Sequence, residues 1–256
     1  MEKFMANPEV TPETTTHFGF KTVNADDKSG MVRGVFDSVA PKYDLMNDLM
    51  SAGVHRLWKN TLINQLRPRA NMTLLDVGGG TGDIALRFLK NGGGSVTVVD
   101  INEEMLAVGR DRAIDRGVLD NITWVPGDAE NLPIEDSSVD AFTIAFCIRN
   151  VTNPQRALEE ARRVLKPGGR FLCLEFSTVA LPWLSKLYDA YSFNILPTLG
   201  SSIAGDADAY QYLAESIRQF PAQKDFAAMI ERTGLGNVTY QNLSGGIAAI
   251  HSAWRI

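Results

Sequence analysis

The sequence predicts an α/β fold: a mostly parallel sheet with helices on both faces and an antiparallel hairpin at one edge. Three observations carry this. Apolar runs of strand length at 73–77, 95–100, 122–126, 139–146 and 169–175 are interleaved with helical patterns at 83–90, 102–115 and 153–165. A glycine cluster, Gly78-Gly79-Gly80-Thr81-Gly82, joins the first of these runs to the first of these helices. Finally, 222–233 reads as a helix, and 236–243 and 247–255 read as strands joined by Gly245-Gly246.

Taken in order, residues 1–15 are rich in Pro, Thr and Glu and read as a disordered tail. From Lys28 to Leu66 the pattern is helical, with breaks at Pro41 and Gly53. Met31, Val35, Phe36 and Val39, then Leu45, Leu49 and Met50, recur at helical spacing and read as core faces. One insertion, about 178–218, interrupts the strand and helix rhythm. It carries Trp183, Leu187, Tyr188, Tyr191, Phe193 and Leu196, broken by Pro182, Pro197 and Gly200. Two readings of it stand: a helical cap near the carboxyl ends of the strands, or ordinary core. The organisation expected is therefore a tail (1–15) and a single domain (16–256).

Composition narrows the function. With 45% hydrophobic residues, 256 residues can bury a sizeable core. The net charge of −5 argues against general nucleic-acid binding. Cys147 and Cys173 lie in apolar runs and read as reduced core residues of a cytoplasmic protein. His17, His55 and His251 are scattered, and no metal is expected. The acidic, polar start does not read as a signal or transit peptide, and no run of about 18 apolar residues is present.

The stretch Leu74–Asp100 has the pattern of a β-α-β nucleotide-binding unit: an apolar run into glycines, a helix, and a second apolar run ending on a carboxylate. Asp100, 20 residues past Gly80, suits both ribose hydroxyls. Gly80-Thr81-Gly82-Asp83-Ile84-Ala85 fits the dinucleotide pattern, so an NAD-dependent oxidoreductase stays open. Asp76 before the first glycine and Asp83 at the helix start oppose a pyrophosphate. They suit S-adenosylmethionine, which has no phosphate and carries a sulfonium and an ammonium. The arrangement Asp76, Gly78, Gly80, Gly82 resembles motif I of class I methyltransferases.

Further stretches sharpen that resemblance. Tyr43-Asp44-Leu45-Met46-Asn47-Asp48-Leu49-Met50-Ser51, with Gly53, His55, Arg56 and Trp58, is similar to the first signature of the ubiquinone/menaquinone biosynthesis C-methyltransferases (the UbiE type). Arg163-Val164-Leu165-Lys166-Pro167-Gly168-Gly169, ending in Leu174-Glu175-Phe176-Ser177, resembles their second, and Phe146-Cys147-Ile148-Arg149-Asn150-Val151-Thr152 the segment after their fourth strand. The likeness runs from His17 to the C-terminus.

The resemblance implies a Rossmann-like, seven-stranded class I methyltransferase fold, with N-terminal helices before the sheet. It implies S-adenosylmethionine as cofactor, held by Asp76, Gly78, Gly80, Thr81, Asp100, Ile101, Asp128, Ala129 and Ala145, with Asp128 and Ala129 at the adenine. A plain polar turn is the alternative for Gly127–Pro133. It implies C-methylation of a polyprenylated quinol, either 2-polyprenyl-6-methoxy-1,4-benzoquinol or demethylmenaquinol. Tyr43, Asn47, His55, Arg149 and Tyr191 are the expected substrate contacts, and Tyr43, Asn47 and Ser51 share one face at i, i+4, i+8. Arg149, Asn150 and Asp83 are the expected catalytic residues. Because a guanidinium stays protonated, Arg149 is read as stabilising the phenolate or holding a water with Asn150 and Asp83. Trp58 is read as core. Transient contact with the inner membrane face is expected through the 178–218 insertion. A second copy of the chain and other quinone-biosynthesis enzymes remain open as partners, and a catalytically silent methyltransferase-fold scaffold remains the third functional class.

Overall fold

The computed structural model describes residues 15–39, 47–48, 51, 53–179 and 207–256. Residues 1–14 of the expected tail, Tyr43, Tyr191 and most of the expected cap lie outside the described residues, and Thr15, the last residue of that tail, opens a strand.

The described chain begins with a hairpin, β1 (Thr15–Phe18) and β2 (Lys21–Asn24), followed by α1 (Ala25–Val39) and α2 (His55–Leu66). The regular alternation is then β3 (Thr73–Val77), α3 (Asp83–Lys90), β4 (Ser95–Asp100), α4 (Glu103–Asp115), β5 (Ile122–Pro126), β6 (Val139–Ala145), α5 (Pro154–Val164) and β7 (Leu165–Phe176). The chain closes with α6 (Ala207–Gln219), α7 (Gln223–Arg232), β8 (Gly236–Leu243) and β9 (Ala248–Trp254). Local chemistry explains the helix starts. Asn102 caps α4 by accepting the Met105 N–H at 3.0 Å, and Asn153 caps α5, with Pro154 opening the helix. Asp83 opens α3 and Arg87 and Lys90 close it, complementing the helix dipole.

The seven strands lie in the order β5-β4-β3-β6-β7-β9-β8. β5, β4, β3, β6 and β7 run parallel, and β9 pairs antiparallel with both β7 and β8. The order reverses beside β3, so a crevice opens at the carboxyl ends of β3, β4 and β6. Strand alternation divides the core in two. Leu74, Val96 and Val98 pack with Trp58, Leu62, Phe88 and Leu106 on one face, and Leu75, Val77 and Val99 with Leu158, Ala161 and Phe226 on the other.

Three expectations need correction. The hairpin β1–β2 was not anticipated. Among the α1 residues read as core, Met31 is 37% exposed and Val32 is buried instead. The fifth strand begins at Leu165 rather than 169. The reason is tertiary: Gly168 donates to the Arg255 carbonyl at 2.7 Å and Arg255 donates back to Gly169 at 3.0 Å, so the Lys166–Gly169 turn is held in the sheet by the chain beyond β9.

Candidate active site

The loop after β3 turns through Gly78 (φ 59°) and Gly80 (φ 50°), left-handed values that disfavour side chains. A Cβ on Gly78 would collide with the Cys147 side chain. Asp100, at the end of β4, ties this loop down: one carboxyl oxygen accepts the Gly80 N–H and the other the Asn102 N–H, each at 2.9 Å. Burial pushes the Asp100 carboxyl up to about 6, against the pull of these amides.

Above the loop lies a cavity of about 780 Å³, counted with the open space at its mouth. Gly78, Gly80, Asp100, Ile101, Asp128 and Ala129, all residues proposed for the cofactor, line it together with Asn150. Asp128 also makes the polar turn, accepting the Glu130 N–H at 2.9 Å, so a turn and a place at the cavity wall are compatible in that segment. The chain adds walls that went unanticipated: Ser29, Val32 and Phe36 from α1, Met105 from α4, and Phe146 and Cys147 after β6. Cys147 is therefore a wall residue rather than core, and burial pushes its thiol far up. α1 is held over the cavity by Arg33 donating to the Ile101 carbonyl (2.8 Å), Asn102 to Asp37 (2.6 Å) and Lys28 to the Val151 carbonyl (2.9 Å). Phe146 adopts φ 56°, strained for a bulky residue, at the turn that carries the chain from β6 to Asn150.

Asp100, Asp128 and Glu130 line the cavity, and no Lys, Arg or His is among its described lining residues. Such a wall repels a pyrophosphate and accommodates a cation. The glycine cradle and the strand-end carboxylate suit either nucleotide; the acidic wall, with no cation among its described lining residues, favours S-adenosylmethionine over NAD.

Other expected residues lie elsewhere. Asp76 sits behind the loop, 1% exposed, accepting the Thr143 hydroxyl at 2.7 Å. It lies under the loop, where a Cβ on Gly79 would come within 2.8 Å of its Oδ2, and burial pushes its carboxyl up to about 7. Thr81 is buried and accepts from Arg112 at 3.1 Å, and Ala145 is replaced at the cavity wall by its successors Phe146 and Cys147. Asp83 is not brought to Asn150. It pairs with Lys59 (2.8 Å) and Arg87 (3.0 Å). Burial alone would raise its carboxyl, but the two cations pull it down to about 2, so it is a fixed charge rather than a base.

Arg149 does not line the donor-type cavity. Its Nη1 donates at 2.7 Å both to the Phe146 carbonyl and to the buried Glu175 carboxylate. It faces a second cavity with Lys28, Tyr212 and Ser216. Val151 and Thr152 line both cavities. His55 bonds Asp48 at 2.9 Å, and Ser51 donates to the Asn47 carbonyl at 2.7 Å, which agrees with one helical face, but neither Asn47 nor His55 reaches either cavity. Trp58 is core, as expected, and donates to Ser244.

The model of the ubiE/COQ5 methyltransferase family matches residues 21–255. The chain belongs to the ubiE/COQ5 methyltransferase family. It is 58% identical over 243 residues to the Brucella abortus (strain S19) ubiquinone/menaquinone biosynthesis C-methyltransferase UbiE, covering 93% of this chain and 90% of that one. A SAM-dependent methyltransferase of Thermotoga maritima superposes with a TM-score of 0.64 at 18% identity, covering 88% and 100% of the two chains. One of Aquifex aeolicus superposes with a TM-score of 0.57 at 19% identity, covering 77% and 89%. These two likenesses speak for the class I fold. As a member of the family the chain is an S-adenosylmethionine-dependent methyltransferase, and the oxidoreductase reading falls.

Proposed function

We propose that the chain transfers the methyl group of S-adenosylmethionine to a ring carbon of a polyprenylated quinol in ubiquinone or menaquinone biosynthesis, and that one domain, residues 16–256, carries the activity. The observation that supports it best is the acid-lined, glycine-floored cavity with Asp100 at its wall, in a chain 58% identical to curated C-methyltransferases of these pathways.

When bound, S-adenosylmethionine supplies an electrophilic methyl on a sulfonium. Asp100 would accept the ribose hydroxyls, with Asp128 and Ala129 at the adenine and Gly78 and Gly80 giving the backbone room to approach the methionyl portion. Ile101 and Met105 supply apolar walls, and α1 shields the donor from water. The acceptor approaches at the Asn150 and Phe146 end. There Asn150 contacts the ring oxygen, and a quinol, unlike a quinone, becomes nucleophilic as that oxygen loses its proton to solvent water; the ring carbon takes the methyl, S-adenosylhomocysteine leaves, and the carbon's own proton is lost to water as the ring regains aromaticity. Asp83 is too acidic and the Arg149 guanidinium too basic to take the proton. The chain's contribution is therefore alignment and stabilisation of the phenolate by Asn150, with Arg149 behind it. Aromatic side chains of the 178–218 segment, Tyr191 among them, are assigned to the isoprenoid tail, and weak membrane-surface contact is assigned there too. Among the described residues no helix is long and apolar enough to cross a membrane.

Calorimetry with S-adenosylhomocysteine and NAD, followed by methyl transfer to short-tailed benzoquinol and naphthoquinol acceptors, tests the reading. Binding of the first nucleotide alone and transfer to a quinol support it. Donor binding with no transfer to either quinol would leave a methyltransferase with a different acceptor.

A further inference from the structure

We propose that Tyr212 is a positioning residue for methyl transfer, setting which end of the Asn150 amide faces the donor cavity. The inference rests on the assignment of Asn150 to the acceptor.

Asn150 closes a one-turn 3-10 helix, Ile148–Asn150, and lines the cavity while being 93% buried. An asparagine amide presents an acceptor or a donor at nearly the same place, and its surroundings choose between them. Here the choice is made by a single long-range contact: the Tyr212 hydroxyl donates to Asn150 Oδ1 at 2.9 Å, across 62 residues of sequence. Burial pushes the Tyr212 phenol up, so it keeps its proton; Asn150 Oδ1 is that proton's acceptor among the described residues, and a flipped amide would leave the buried hydroxyl proton unpaired. With Oδ1 engaged, the NH₂ group is left to face the acceptor. A donor there stabilises an oxygen that becomes a phenolate, whereas a flipped amide would set a carbonyl oxygen against it.

The surroundings hold Tyr212 in turn. Its ring stacks on Phe18 of β1, centroids 4.2 Å apart and planes within 20°. The Phe20 N–H beside it donates to Glu215, one turn along α6, at 3.0 Å. Part-buried Phe18 and buried Tyr212 and Asn150 thus form one packed chain from the N-terminal hairpin to the cavity wall. This gives the hairpin and α6 a share in a site that the glycine loop and strand ends do not complete alone.

The test is a double-mutant cycle read as kcat, KM and donor affinity. Y212F removes only the hydroxyl. It should lower kcat about tenfold while the Kd for S-adenosylhomocysteine stays within twofold, which also shows that the variant is folded. In an N150A background the same substitution should change kcat less than twofold, because its route of action is gone. Equal losses in both backgrounds, or no loss in either, would overturn the proposal. If N150A alone leaves kcat untouched, the acceptor assignment of Asn150 fails, and the proposal with it, while donor binding and methyl transfer still stand. Should Y212F not fold, 3-fluorotyrosine at position 212 keeps the hydroxyl. Its fluorine resonance should move on N150A and on adding a short-tailed quinol to the S-adenosylhomocysteine complex; an unmoved resonance would again overturn the proposal.

Discussion

At the scale of residues, the site depends on carboxylates in unequal surroundings. Asp100 is part-buried, with backbone amides as its partners among the described residues, and desolvation raises its carboxyl to about 6. Its ionised form is the one assigned to the ribose hydroxyls, so on that assignment donor binding favours deprotonation. Affinity for S-adenosylhomocysteine should therefore be flat above about pH 7 and weaken below about pH 6, approaching tenfold per pH unit, and D100N should flatten that profile. D100A should raise the Kd about ten- to hundredfold, the worth of charged hydrogen bonds of roughly 1.5–3 kcal/mol, with the fold intact by circular dichroism. Calorimetry across pH checks both. Arg149 behaves differently because Glu175 is buried beside it, with side-chain exposures of 3% and 2%. R149A leaves a buried carboxylate without its cation and should cost about 3–5 kcal/mol in urea unfolding. That loss should shrink as pH falls, since protonating Glu175 removes the uncompensated charge. R149M combined with E175Q should recover most of it. A fall in activity of R149A read without its stability would misassign a structural loss to catalysis.

At the scale of elements, α1 covers the donor cavity through Ser29, Val32 and Phe36. Gly30 and Gly34 sit in this helix, and a Cβ added at either would meet nothing within 4 Å, so packing does not require glycine at either place. Each weakens the helix by about 1 kcal/mol relative to alanine. G30A with G34A should raise the melting temperature and, by firming the cover, slow S-adenosylhomocysteine release in stopped-flow measurements. An unchanged release rate with a raised melting temperature would show that donor exchange does not need α1 to open. The glycine loop and β4 were legible because their chemistry is local: glycines where φ is positive, an acid at a strand end. The cover was legible only as an amphipathic stripe. Nothing in the spacing of Val32 and Phe36 says whether such a stripe meets core or ligand.

At the scale of the whole molecule, the donor cavity draws on α1, the ends of β3, β4 and β6, and the loop after β5, elements spread from Ser29 to Thr152. A ligand there binds the folded chain and not the unfolded one. At a hundredfold excess over its Kd, S-adenosylhomocysteine should add about 2.7 kcal/mol. For a chain of this length that is roughly 5–10 °C in melting temperature. NAD at equal concentration should add much less, and an equal shift would count against the acid-lined wall as the selector.

The sequence by itself determined the alternation of strand and helix, the glycine loop and the strand-end carboxylate proposed for the ribose. Each is set within about 30 residues by steric freedom, hydrophobic period and charge. It also carried the family, because its motifs are long and specific. Only the tertiary structure decided which side each of these residues faces. Asp76 is covered by Gly79 and tied to Thr143, and Asp83 is ion-paired because Lys59 reaches it from α2. Arg149 points to Glu175 across 26 residues, and Asn150 is oriented by Tyr212 across 62. These partners are chosen by packing between distant elements, and a carboxylate or amide has the same spacing in the sequence whichever way it finally points.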